Sequence, residues 1–502
     1  MISFVIFALF YSLSSVAAQT TVSVPLRSLP QSLQVDRLVQ VDQNRVSNLM
    51  VDSLFKLGTN FRLTPNIAES VTWSKDGKTA TIALKKVKFS DGTVVKANDI
   101  VTTLSQCIKM IETGINVSLQ NIVGFKQFRQ GRVKALSGIK SASEKTIEIQ
   151  LVEKTPLLID DLSHTACSIV KNSKGGSNDL FNGAVGTGPY ILSSRDSQKL
   201  VLKKNKFFHG KNDGPDQVIF RSTQDYGDLE SLKSWSDLIL VDSETPPQDG
   251  FNRFPHSELG SYHLVFNNSK PPFDSEQRRK AVALALDFEA LSSGMSWDSS
   301  RLQKGLFSYG MRGFLLRSDL KPKTKEANEI LRSLGYSKEN PFSFTIYLAK
   351  SDHSDAEANA WPKLFPNAHI LVKAEVISQK KLMERRDVGN FEALKIGKAP
   401  GSVDPYLILA SLFKGSRYNT PKANQPHCDG LTHKALRESD SDSRFQLYKE
   451  AESCFLAHHV LVPLTSLNPG YVFLRQPWQL TRTNQYLLYP YSVNEWTKSE
   501  TR

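Results

Sequence analysis

Beyond Pro246-Pro247 the chain alternates strand-like and helix-like segments, and that alternation constrains the fold more tightly than any other feature. Tyr262–Asn267, Phe342–Leu348, Ile370–Val376, Glu392–Ile396 and Leu461–Ser466 carry the short apolar runs of strands. Between them, Asp274–Asp287, Lys325–Gly335, Gln379–Arg386 and Ser443–His458 space their apolar residues at helical intervals, and Gly335 stops the second helix. Strands separated by helices predict an α/β lobe with a largely parallel sheet.

The first half reads differently. Val22–Leu26 alternates like a strand, and Asn44–Leu57 spaces Val46, Leu49, Met50 and Leu54 as a helix would. Val71–Trp73 and Thr79–Leu84 form a hairpin across Ser74-Lys75-Asp76-Gly77, Asp-Gly being tight-turn chemistry. A second turn at Asp91-Gly92 precedes a helix over Lys96–Ile111, with Asn98 as its N-cap and Asp99 in its first turn. Thr146–Leu151 is a further strand. Gly186-Thr187-Gly188-Pro189 forces a turn before the strand Tyr190–Ser193. It is no phosphate cradle, because proline follows and no helix opens after it. At 502 residues, and about 150 per domain, two to four domains are expected.

Residues 1–18, MISFVIFALFYSLSSVAA, read as a cleaved signal peptide, with Val16 and Ala18 at the small-residue cleavage positions and Gln19 starting the mature chain. No later run of eighteen apolar residues occurs, so a soluble mature protein is expected, exported and peripheral to the membrane. In an oxidising compartment the four cysteines become disulfide candidates. We expect Cys107–Cys167 and Cys428–Cys454, because each pair lies within one predicted domain. Metal ligation through His164-x-x-Cys167 or His427-Cys428 is the alternative, although neither spacing fits a zinc template.

The net charge of +13 suits an anionic partner, but the basic clusters are short and not interleaved with aromatics, which argues against nucleic acid. No nucleophile elbow, His-Glu-x-x-His or Walker loop is present, so neither an enzyme nor a cofactor is expected. Asp160-Asp161 reads as an exposed acidic turn. His458-His459 reads as a surface or capping pair, since adjacent helical side chains do not face a common point.

Several stretches together resemble the extracellular solute-binding proteins of peptide- and nickel-type ABC importers. They are LTPNIAESVTWSKDGKTATIALKKVKFSDGTVVKANDIV from Leu63 to Val101, GTGPY with LKKNKFF, and FNNSKPPFDSEQRRKAVALALD from Phe266 to Asp287. KTKEANEILRSLGY, MERRDVGNFEALKIG and FQLYKEAESCFLAHHVLVPL continue the match in order, so that it spans roughly residues 22–490. The resemblance implies a periplasmic-binding-protein-like α/β fold of two lobes with two hinge crossovers. Lobe I would take residues 19–66, 186–260 and 467–502, with a β-rich subdomain inserted at 67–185, and lobe II residues 261–466. The implied function is capture of a peptide or peptide-like small solute in the interlobe cleft by a periplasmic monomer, for delivery to an ABC importer permease.

The resemblance also implies a ligand site. Asp42, Gln43 and Asn44 would contact ligand main chain from lobe I, Asp42 alternatively capping a helix. Tyr262, rather than His263, would face the cleft from the strand after the crossover. Gly397, Lys398, Ala399, Gly401 and Ser402 would line it before the Asp404-Pro405 step. In family peptide binders an acidic residue pairs there with the peptide amino terminus and a tryptophan stands a few residues earlier; here Gly401 and Lys398 occupy those places. A buried ammonium without its carboxylate costs ~3–5 kcal/mol, so a peptide with a free amino terminus should bind poorly, and Lys398 would suit an anionic group instead. These departures motivate a second expectation: a family member decoupled from transport, acting as an envelope sensor, chaperone or partner-binding protein.

Overall fold

A computed structural model describes residues 19–37, 41–57, 63–110, 117–223, 228–242, 245–294, 302–309, 311–350, 354–398, 404–416, 418–480 and 491–499. Residues 1–18, expected to be a signal peptide, lie outside them. The first strand, Thr21–Leu26, opens a four-stranded sheet in the order Thr21–Leu26, Gln217–Ser222, Lys199–Lys204, Tyr190–Arg195. It is parallel to the second strand, and the others are antiparallel. Val22, Val24 and Leu26 alternate into a core that the chain's end completes with Tyr491, Val493 and Trp496. The Tyr491 hydroxyl donates to the Pro25 carbonyl at 3.1 Å and ties that end to the first strand.

The expected helix over Asn44–Leu57 is instead a short helix, Val41–Ser47, followed by a turn and the strand Phe55–Leu57. The apolar spacing is helical, but the main chain of Leu49–Met50 is taken by a distant partner. Gly188 N–H donates to the Met50 carbonyl at 3.0 Å and Tyr190 N–H to that of Leu49 at 2.8 Å. This explains the two glycines of Gly186-Thr187-Gly188. A Cβ on Gly186 would lie 2.1 Å from the Met50 oxygen, and one on Gly188 2.4 Å from the Met50 carbonyl carbon. Backbone cannot swing aside like a long side chain. Gly186→Ala is therefore expected to cost about 2–3 kcal/mol, read as a lower denaturation midpoint; an unchanged midpoint would show that this crossing has slack.

The β-rich unit is an antiparallel sheet in the order Ala68–Trp73, Thr79–Leu84, Thr146–Gln150, Ile139–Ser143. Its hairpin closes as the sequence indicates: the Asp76 carboxylate accepts from the Ser74 hydroxyl at 2.6 Å, and Gly77 takes φ +69°. The helix runs Ala97–Met110, so its N-cap is Lys96 and not Asn98. Asp99 reaches back to accept the Lys96 N–H at 2.8 Å, one half of a capping box. Cys107 on this helix is bonded to Cys167. Asp161 is buried rather than an exposed turn residue, because its carboxylate accepts both the N–H and the hydroxyl of Ser118.

The remaining large sheet has six strands in the order Leu238–Asp242, Leu461–Arg475, Phe251–Phe266, Ala393–Lys398, Phe342–Ala349, Ile370–Ile377. It is mixed, not largely parallel. Only Phe342–Ala349 runs parallel to its neighbours. The reason is the two long crossovers, Phe251–Phe266 and Leu461–Arg475, which pair antiparallel from Phe251↔Arg475 to Val265↔Leu461. One end of the pair meets the strand Leu238–Asp242 and the other the strand Ala393–Lys398.

Helices cover both faces of this sheet in the second lobe. Glu276–Ala285, capped by Ser275, and Thr324–Ser333 pack on one face with Phe342, Phe344 and Ile346. Tyr406–Ala410, Pro426–Ala435 and Ser441–Ala457 pack on the other, and Cys428–Cys454 ties the last two together. His458 caps the last helix and its Nδ1 lies 2.8 Å from the Glu276 carboxylate. Cys428, Cys454 and His458 group within 4.8 Å, but both sulfurs are bonded to each other. His164 accepts the Ala166 N–H at 3.3 Å and caps a short helical turn. Among the described residues, no helix is long and apolar enough to cross a membrane.

Candidate functional site

Where the crossovers enter the second lobe, cross-strand register gathers a polar cluster onto one sheet face. Ser261 stands opposite Lys398 on one side and opposite Ser466 on the other. His263, two residues along the same strand, stands opposite Ile396. Directly opposed residues share a face, so Ser261, His263, Lys398 and Ser466 point the same way.

That face meets the β-rich unit. Its apolar continuation, Val265 and Ile396, packs with Tyr406, Ile408, Leu409 and, from the β-rich unit, Leu157. The neighbours of Leu157 divide: Leu158 and Leu162 belong to the β-rich core, while Leu157 itself is 4% exposed in the second lobe's cluster. Glu153 and Arg437, 4.0 Å apart, flank the contact on the outside.

The electrostatics of the cluster are set by desolvation. Lys398 Nζ donates to the Ser411 hydroxyl at 2.9 Å and to the Tyr418 carbonyl at 3.5 Å, and no carboxylate pairs with it among the described residues. Burial, with the Arg386 cation nearby, pushes its ammonium down to about 7. His263 is 1% exposed; burial and then the Lys398 charge push it down to about 3, so it is neutral. Its Nε2 shares a hydrogen bond with the Ser261 hydroxyl at 3.0 Å. Its Nδ1 and the hydroxyl of Ser466 have no partner among the described residues. A buried polar atom left unpaired carries the full desolvation cost.

Below the cluster, Asp404 accepts the Tyr406 N–H at 2.9 Å and opens the helix Tyr406–Ala410 behind Pro405. Burial raises its carboxyl, against the pull of that hydrogen bond and of Arg444.

Residues 62–420 match the family model for bacterial extracellular solute-binding proteins, family 5 Middle. The chain belongs to family 5 of these solute-binding proteins. Among its relatives, the periplasmic oligopeptide-binding protein OppA of Escherichia coli (strain K12) is 23% identical over 470 residues, covering 86% of this chain and 84% of that protein. Two solved structures share the fold. Haemophilus influenzae OppA in complex with RPPGFSPFR has a TM-score of 0.73 at 18% identity, over 96% of this chain and 99% of that one. NikA from Brucella suis in complex with Fe(III)-EDTA has a TM-score of 0.77 at 17% identity, over 95% and 100%. The two-lobed binding-protein architecture expected from the sequence is therefore the one observed.

In this family 5 protein the expected site residues fall in three places. Asp42, Gln43 and Asn44 lie on the helix Val41–Ser47. Asp42 is buried and accepts from the Ser28 N–H at 3.1 Å and from Arg45 at 3.0 Å, and Arg45 in turn stacks 4.2 Å above Tyr491. Gln43 donates to the Ser32 carbonyl at 3.2 Å. Tyr262 and Gly397 are cross-strand partners on the face opposite to Lys398. There the Tyr262 ring packs on the second-lobe core with Lys395 Nζ 4.6 Å from its centre, and Lys395 bonds Glu357 at 2.7 Å. Ala399, Gly401 and Ser402 lie outside the described residues. Sequence reading set His263 aside in favour of Tyr262 and passed over Ser466, Ser411 and Leu157. Only Ser261-x-His263 carried a signal, the strand alternation that puts both on one face.

Proposed function

We propose that this chain is an exported, non-catalytic carrier that captures a peptide or peptide-like solute between its lobes and hands it to an ABC importer. The observation that carries this reading is the burial of first-lobe Leu157 among second-lobe side chains beside the polar cluster. An interlobe contact of that kind exists only with the lobes together, so a solute that bridges them selects the closed state, and that state is what a permease would recognise. Family membership and the peptide-binding relatives support the solute class. The division at residues 19–66, 186–260 and 467–502 against 261–466, with 67–185 inserted, belongs to the same proposal, as does a periplasmic monomer.

The test is native mass spectrometry of the protein purified from its export compartment without refolding. A ladder of adducts of peptide mass is the expected result. A bare protein that also takes up nothing from an added tryptic digest of casein would overturn capture and favour a partner-binding role.

A further inference from the structure

We propose that Lys398, backed by His263, Ser261 and Ser466, is a subsite for a carboxylate of the captured solute, so that this protein selects acidic ligands. The inference rests on the capture reading and adds the chemistry that the site selects.

The argument starts from what surrounds the ammonium. Its described partners, the Ser411 hydroxyl and the Tyr418 carbonyl, are neutral. The charged and titratable groups that act on it are Arg386, from the helix Gln379–Val388, and His263, from the crossover strand. One is a cation and the other neutral, so among the described residues the local charge is positive and uncompensated. On the same face two more polar atoms lie buried without partners among the described residues, His263 Nδ1 and the Ser466 hydroxyl, and Ser466 is 0% exposed. A core under no functional demand would fill such a face with apolar side chains. A carboxylate placed here would accept a charge-assisted hydrogen bond from the Lys398 ammonium, and has lone pairs left for a hydroxyl or ring N–H. The face is the one that first-lobe Leu157 reaches, so closure would seal that pair away from water and strengthen it.

Proton linkage sharpens the inference. The ammonium sits at about 7 without ligand. A bound anion favours the charged form and raises that value, so the complex holds more protons than the free protein. Affinity for the anion therefore falls as pH rises above about 7, while a neutral ligand is indifferent. His263, at about 3, stays neutral across this window.

Two sources supply the carboxylate, an acidic side chain or the peptide's own chain end, and the experiment separates them. Trialanine peptides carrying Glu or Gln at each position in turn, each made as free acid and as C-terminal amide, compete for the full chain in native mass spectrometry at about pH 6 and about pH 9. At the lower pH, a Glu peptide is expected to outcompete its Gln twin, or an acid its amide, by about tenfold or more. The first result assigns the carboxylate to a side chain and the second to the chain end. The preference is expected to shrink at the higher pH, to vanish in Lys398→Met and to persist in Lys398→Arg. Should Lys398→Met not fold, the pH series on the parent protein decides. Equal binding of the twins and of acid and amide overturns the subsite alone, as does a preference that survives Lys398→Met. Binding of no peptide overturns capture and the subsite with it.

Discussion

Leu157→Asp is expected to weaken capture of casein-derived peptides about 10³–10⁵-fold while leaving the fold of both lobes intact. The side chain belongs to the β-rich unit but is buried in one apolar cluster with Tyr406, Ile408 and Leu409. Removing it forfeits about 2 kcal/mol of apolar burial, and closing over an ionised carboxylate adds a penalty of several kcal/mol. Together they come to about 5–7 kcal/mol, and at about 1.4 kcal/mol per decade roughly three to five decades follow. The penalty falls only on the closed state, because in an open arrangement the new carboxylate stands in water. Small-angle scattering should therefore show that a saturating peptide digest no longer compacts the variant, with its thermal midpoint near that of the parent. A variant that compacts and retains peptides as the parent does would show that Leu157 does not govern closure.

The second large effect concerns the β-rich unit. The double variant Cys107→Ala with Cys167→Ala should lose about 4 kcal/mol, from the loop entropy that a closed loop of this length removes from the unfolded chain. The two residues are 60 apart in sequence, against 26 for Cys428 and Cys454. The same relation makes the first bond worth about 0.7 kcal/mol more than the second. The first bond joins the buried side of the helix Ala97–Met110 to the short helical turn Thr165–Cys167, within the core of the β-rich unit. Calorimetry should show the transition containing this unit lowered by about 10 °C, and a reductant should do the same to the parent. Coincident transitions for variant and parent would mean that the unit's packing alone sets its stability.

Both bonds were legible, because the four cysteines fall into two groups that the predicted domains separate. Local chemistry made other elements legible too. The hairpin between Ala68–Trp73 and Thr79–Leu84 announces itself through Asp76-Gly77, and the helix expected over Asp274–Asp287 through its apolar spacing; it runs Glu276–Ala285, with the Ser275 side chain accepting the Arg278 N–H at 3.4 Å. The family followed from long ordered motifs, and with it the two-lobed architecture.

What failed did so for non-local reasons. Val46, Leu49, Met50 and Leu54 keep helical spacing, yet hydrogen bonds from Gly188 and Tyr190 claim the backbone of Leu49 and Met50. Asp160-Asp161 looked like an exposed turn, and Asp161 is buried by Ser118, 43 residues away. Strand–helix alternation suggested a parallel sheet, but strand direction in the middle of that sheet is set by the crossovers, whose pairing joins residues 251 and 475.

By itself, then, the sequence determined the elements whose signals lie within a few residues, the two cysteine pairs, and membership of a solute-binding family. The tertiary structure alone decided which side chains share a face and how much water they keep. Lys398 is readable in the sequence as a lysine. That it stands opposite Ser261, beside a neutral His263, with its charge held down by burial, depends on register between strands more than 130 residues apart. Desolvation is a property of everything packed around an atom, and no local stretch of sequence encodes it.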